Sequence, residues 1–311
     1  MEAAATTAAR ATPTLGVARR RYGEDLIKAL LILAALVSVL TTTGIVISLL
    51  QETIVFFGDV GFFEYIGGTD WSPLFNPPSF GVLPLIWGTF LITGIALVVA
   101  VPLGLGSAIY LSEYARPRVR KTIKPVLELL AGVPTIVFGY FALTFFTPEV
   151  LQKVFTDIQI FNALSAGIIM GFMIIPTVAS LAEDAMSAVP QSLREGAFGL
   201  GASKLQVSLR VVFPAALSGI VAAIVLGVSR AVGETMIVLV AAGLVANNAL
   251  NPGEPHATMT AFIGATAKGD AAVGTTAYKT IFAVGATLFV ITLIMNAISI
   301  RFVRKYRQVY E

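Results

Sequence analysis

Long apolar runs separated by short polar segments set the rhythm of this chain. A membrane-crossing helix takes about 20 mainly apolar residues at a rise of about 1.5 Å each. Six stretches reach that length: about Leu26 to Leu50, Val82 to Leu111, Pro125 to Phe146, Asn162 to Leu181, Ala216 to Gly243 and Lys279 to Ile300. They predict an all-α, polytopic membrane protein with six transmembrane helices. The fifth run, ALSGIVAAIVLGVSRAVGETMIVLVAAG, is unusual in carrying Arg230 and Glu234 near its middle.

Composition agrees with that pattern. Of 311 residues, 56% are hydrophobic and 13% charged, with a mean hydropathy of +0.85, whereas an ordinary soluble domain is about 25% charged. The absence of cysteine excludes thiol catalysis, disulfides and cysteine zinc sites, and the single histidine, His256, excludes a multi-histidine metal centre. A net charge of +3 and a pI near 9.2 could suggest nucleic acid. In a membrane protein, however, the placement of the basic residues matters more than their sum.

Seventeen of the 21 Lys and Arg residues fall before or at the start of span one, between spans two and three, between spans four and five, or after span six, all on one side. The positive-inside rule then puts both termini in the cytoplasm of a multi-pass cell (inner) membrane protein. Residues 1–25, poor in large apolar side chains, read as a disordered cytoplasmic tail ahead of a permease domain over 26–311. A cleaved signal peptide is the competing reading, but the apolar run starts late and exceeds an h-region of about 7–15 residues. The first outer loop has four acids, no Lys or Arg and many aromatics, which suits either the headgroup layer or a docking surface for a soluble partner.

The loop at about 182–215 contains AEDAMSAVPQSLREGAFGLGASKLQVSLRVVFPAA. A short helix is predicted after Pro190, ended or bent by Gly201, and a second from about Ser203 to Val212, stopping before Pro214. No G-x-x-x-x-G-K-[ST] phosphate loop occurs; GLGASK and GATAKGD lack the spacing.

An arginine at a helix centre costs about 2.5–3.5 kcal/mol on insertion scales. Glu234, one helical turn on, is placed to share a face with Arg230 and partly neutralise it, and Ala223 and Gly227 continue that stripe. Two readings stand. The pair could fix helix packing, or Arg230 could offer its donors to a crossing oxyanion while Glu234 orients it and limits how tightly the anion binds. Glu128 is a further acidic residue inside a predicted span, near its cytoplasmic end, and Pro134 is expected to kink that span.

The loop resembles the coupling loop of ABC-importer permeases. Glu195, Ala197, Gly201 and Pro214 stand at the spacing of the E-A-A, G and I-x-L-P pattern, with Gly196 for the middle Ala, Val211 for Ile and Phe213 for Leu. Together with SRAVGETM, VPLGLGSAIYLSEYA and LELLAGVPTIVFGYFAL, it is similar to the permease of phosphate ABC importers, PstC type, from span two into span five. Met236 and Ile237 stand where the sister PstA type more typically has Ala and Pro.

That resemblance implies a type I ABC-importer permease of MetI-like fold without its own ATPase site. It implies a second permease of the PstA type, a PstB-type ATPase dimer that binds ATP and Mg, a PstS-type extracytoplasmic phosphate-binding protein, membrane lipid and no nucleic acid. It implies that Arg230 and Glu234 lie on the phosphate path, that Glu195, Gly196, Ala197, Gly201 and Pro214 belong to the coupling element, and that Glu128 is a secondary candidate. A permease for sulfate, molybdate or phosphonate, a proton-coupled carrier in which Glu234 titrates, and a purely structural membrane subunit are the alternatives.

Overall fold

A computed structural model describes residues 22–306, so the proposed tail lies outside the described residues apart from its last four positions, which begin helix α1 (Tyr22–Asp59). The chain divides into two units at Ser48/Leu49. In the first, α1 exposes Leu26, Leu30, Leu33, Val37 and Leu40. A helix apolar on all sides needs lipid or another chain around it.

The second unit starts with the end of α1 and a compact outer segment: helix α2 (Phe62–Gly67) and a small antiparallel pair, β1 (Trp71–Ser72) with β2 (Ser79–Phe80). Phe56, Tyr65, Trp71 and Phe80 are buried here in edge-to-face contacts, and the Tyr65 hydroxyl lies 2.9 Å from Thr287 Oγ1. The aromatics thus build a core as well as a surface.

Helix α3 (Leu83–Ile109), lengthened by a π turn at Tyr110–Tyr114, packs along α6 (Ala163–Ser187). Small residues make the contact close: a Cβ on Gly171 would lie 2.8 Å from the Ala96 carbonyl oxygen, and one on Gly104 would lie 2.9 Å from Val178. Between the two run α4 (Pro117–Ala131) and α5 (Thr135–Phe141), the latter extended by π geometry to Leu151 and a last turn to Val154. Beyond α6 come α7 (Gln191–Gly199) and α8 (Lys204–Val207, continued through Ala215). Then follow α9 (Leu217–Val232), α10 (Met236–Ala241), α11 (Met259–Ala265) and α12 (Thr276–Tyr306).

Among the described residues, four helices are long and apolar enough to cross a membrane, and two bent pairs bring the number to six if each is one span. The predicted third span is a bent pair, with the break at the expected kink of Pro134. It breaks at Gly132–Pro134, where α4 meets the helix from Thr135 at 85°. Pro134 lacks an amide donor and crowds the residue before it, while α4 alternates cations with apolar residues and buries none of them fully. Pro117–Ala131 and Thr135–Val154 reach the length and apolarity of a span only together. The predicted fifth span is not continuous either: its helix stops at Val232 and restarts at Met236.

Candidate translocation site and coupling loop

The break in the fifth span explains the fate of Glu234. Gly233 ends α9, and the Glu234 side chain folds forward, its Oε1 accepting from the amides of Met236 (2.9 Å) and Ile237 (3.2 Å) at the start of α10. A carboxylate suits those free amides and the positive end of the peptide dipoles. The same turn is clamped from α11: Thr260 Oγ1 donates to the Glu234 carbonyl at 2.6 Å, and Thr89 Oγ1 of α3 accepts from the Met259 amide at 3.1 Å. Glu234 is 8% exposed. The expected one-turn partnership with Arg230 is thus corrected: once the helix breaks, the two side chains no longer stack, and no ion pair joins them among the described residues.

Arg230 occupies the last turn of α9 and is half-buried. Its Nη1 donates to Thr177 Oγ1 of α6 at 3.0 Å, and no carboxylate lies within ion-pair distance among the described residues. One residue earlier, Ser229 Oγ donates to Asn296 Oδ1 of α12 at 3.2 Å. Ala223 and Gly227 face protein, as their small size predicts: Ala223 is buried, and a Cβ on Gly227 would meet Val178 at 3.0 Å. α9 therefore seats its small face on α6 and holds a guanidinium that no carboxylate among the described residues pairs with. Five fixed N–H donors in a plane suit a tetrahedral oxyanion, which can accept two parallel hydrogen bonds.

In the loop between α6 and α9, Glu195 and Gly196 are exposed on α7, and Ala197 packs against the buried residues below. Gly201 takes φ +81, a left-handed conformation that glycine adopts without a Cβ penalty. It turns the chain while the Ala202 amide donates to the Ala197 carbonyl at 3.1 Å. Ser203 and Gln206 cap the next helix reciprocally. Phe198 and Leu200 (91% exposed) project outward beside Glu195. The expected stop before Pro214 is corrected: the helix passes through Pro214 and ends at Ala215, because the preceding π turn at Ser208–Val212 shifts the hydrogen bonding and Pro214 opens the following short turn. The next helix leaves at 74°.

Glu128 stands apart from both groups. It is exposed on α4 and lines a cavity of about 510 Å³ with Arg120, Lys121 and Lys124. The sequence reading missed the stronger feature beside it. Glu183 of α6 is 0% exposed, pairs with Arg120 and accepts from Lys124 Nζ at 2.8 Å, while Asp184 takes the same ammonium at 2.5 Å. The Glu183-Asp184 doublet just beyond a predicted span, opposite a basic loop, was the available signal. Thr177, a hydroxyl amid an apolar run, was the signal for the partner of Arg230.

Residues 100–308 match the family of binding-protein-dependent transport system inner membrane components. The chain is 34% identical over 282 residues to the probable ABC transporter permease protein YqgH of Bacillus subtilis, covering 90% of this chain and 89% of that protein. It is 32% identical over 306 residues to the phosphate transport system permease protein PstC of Haemophilus influenzae, covering 92% and 94%. Among solved structures, a bacterial alginate ABC transporter bound to its periplasmic protein aligns over 91% of this chain and 96% of its own, with a TM-score of 0.66 at 16% identity. The MetNI methionine ABC transporter aligns over 73% and 95%, with a TM-score of 0.55 at 18% identity. These likenesses in fold join the sequence matches, and the chain belongs to the family of binding-protein-dependent transport system inner membrane components, as a multi-pass, MetI-like permease of the inner membrane.

Proposed function

We propose that this chain is a permease subunit carrying inorganic phosphate inward, driven by ATP that a separate subunit hydrolyses. The observation that carries the reading is Arg230: a half-buried guanidinium in a spanning helix, held by the Thr177 hydroxyl and left without a carboxylate partner among the described residues. The cost of placing that cation in the membrane region is recovered if it meets an anion. A path must also release what it binds. A phosphate held by one guanidinium, with Glu234 committed to the α10 cap, would be bound weakly.

The basic side of the molecule faces the cytoplasm in this reading, as do both termini. Glu195, Gly196, Ala197, Phe198 and Leu200 present a small, partly apolar knob for an ATPase dimer, which binds ATP and Mg, and Gly201 and Pro214 shape the chain behind it. A PstA-type second permease, PstB-type ATPases and a PstS-type phosphate-binding protein complete the machine, by analogy with relatives named as PstC permeases.

The test is uptake of labelled phosphate by vesicles containing the whole complex. Uptake should require ATP, survive collapse of the proton gradient, and compete with unlabelled phosphate rather than with sulfate, molybdate or phosphonate. Uptake that follows the proton gradient without ATP hydrolysis would overturn the importer reading, and competition by another oxyanion would overturn the cargo.

A further inference from the structure

Arg194 precedes the exposed Glu195 but points the other way. Its Nη1 donates to the Val189 carbonyl at 2.5 Å, and its Nη2 donates to the Met186 carbonyl at 2.8 Å and to Glu113 Oε1 at 3.1 Å. Glu113 Oε1 also accepts from Ser112 Oγ at 2.9 Å. The two charged side chains are 11% and 7% exposed. One nearly dry guanidinium thus ties three elements together: α7, the last turn of α6 at Met186 with the turn after it at Val189, and the π turn that closes α3. Apolar residues of the same elements, Met186, Val189, Leu193 and Ala197, pack in one cluster around it. A second contact spans the same corner, with Lys204 Nζ 4.9 Å from the Tyr114 ring centroid.

We propose that Arg194 is a positioning residue for coupled transport, the rigid joint through which displacement of α7 reaches α3 and α6. The inference rests on the ATP-driven reading above. Separating a buried, charge-assisted set of hydrogen bonds leaves both an unpaired cation and an unpaired carboxylate in poor solvent, so α7 cannot slide over the membrane helices and instead moves with them. The connected element is the relevant one. From Met186 to Thr177, which holds Arg230, α6 runs nine residues, roughly 14 Å at 1.5 Å each. A push received on the Glu195 face therefore arrives at the anion site through one helix. Lysine cannot replace the joint, because a single ammonium lacks the planar fork that reaches two carbonyls and a carboxylate together.

The experiment uses the complete complex in proteoliposomes and reads phosphate moved per ATP hydrolysed, at equal amounts of assembled complex. Arg194→Lys should keep ATP hydrolysis within about twofold of the unaltered complex while phosphate moved per ATP falls at least fivefold. Glu113→Gln, which keeps the shape and disturbs packing least, should lower the ratio in the same direction. A normal ratio in either assembled variant overturns the proposal. So does a parallel fall of hydrolysis and transport in step with lost assembly in both variants, which would make the pair a stability element only. Failure of the importer reading itself looks different: the unaltered complex would take up phosphate without hydrolysing ATP.

Discussion

Replacing Glu234 by alanine removes the acceptor shared by the Met236 and Ile237 amides without touching Arg230. The site is buried, so water replaces the carboxylate poorly. A buried amide left unsatisfied costs about 1–3 kcal/mol, and a favourable charge at a helix start contributes about 0.3–1 kcal/mol. Two such amides, with some local relaxation, give a loss of about 2–4 kcal/mol in the local stability of α10, equivalent to roughly 30- to 700-fold at about 1.4 kcal/mol per decade. Glutamine keeps an acceptor oxygen and loses only the charge, so Glu234→Gln should cost about 1 kcal/mol. Hydrogen exchange at the Met236 and Ile237 amides in lipid nanodiscs reads the effect directly, and Arg230→Gln should leave those amides as protected as before. If Ala and Gln reduce protection equally, or if Arg230→Gln exposes the same amides, Glu234 acts as the counter-ion of Arg230 and the cap is not its main role.

Three other changes follow from single observations. Glu183→Ala removes the buried acceptor shared by Arg120 and Lys124, both partly exposed and Lys124 still paired to Asp184, and should destabilise the protein by about 1–2 kcal/mol, visible as a lower unfolding temperature in detergent; an unchanged temperature would show the cluster to be solvated. Gly201→Val forces a β-branched side chain into φ +81 and should cost about 1–3 kcal/mol, reducing ATPase coupling more than phosphate loading; equal ATPase stimulation would contradict this. In the loop before α11, the Asn247 and Asn251 amides donate to Glu254 and hold its carboxyl below the usual carboxylate range. A folded-state pKa below the unfolded value gives stability that is present above the unfolded pKa near 4.5 and lost as pH falls through the folded one. Proteolysis of residues 247–256 should therefore rise below about pH 4.5, and Glu254→Gln should flatten that response.

Much of this arrangement could be read from the chain because a bilayer demands long apolar runs, and because an arginine among them has no ordinary place to go. Gly201 was legible for a similar reason: a glycine after a short amphipathic helix marks a left-handed stop. The break at Gly233–Thr235 was not, since apolar residues continue on both sides and hydropathy cannot tell a bent helix from a straight one. The carboxylate of Glu234 therefore seemed to belong to the helix of Arg230, although Gly-Glu-Thr before a new apolar run is also what an interrupted helix needs. Pro134 announced a kink in the third apolar run but not its 85° size, because the apolar residues flanking Glu128 continue up to Ala131. Glu183 and Arg120 lie 63 positions apart, as do Glu113 and its partner Arg194 over 81; only the packing of α3, α4, α6 and α7 brings them together.

Whether Arg230 faces passing phosphate is decided most directly by uptake of labelled phosphate into proteoliposomes holding the whole complex with Arg230→Ala. Uptake should fall at least tenfold while assembly and ATP hydrolysis persist, with Arg230→Lys recovering part of it because the charge returns without the planar fork. Undiminished uptake by the alanine variant would mean that this guanidinium only fixes α9 to α6.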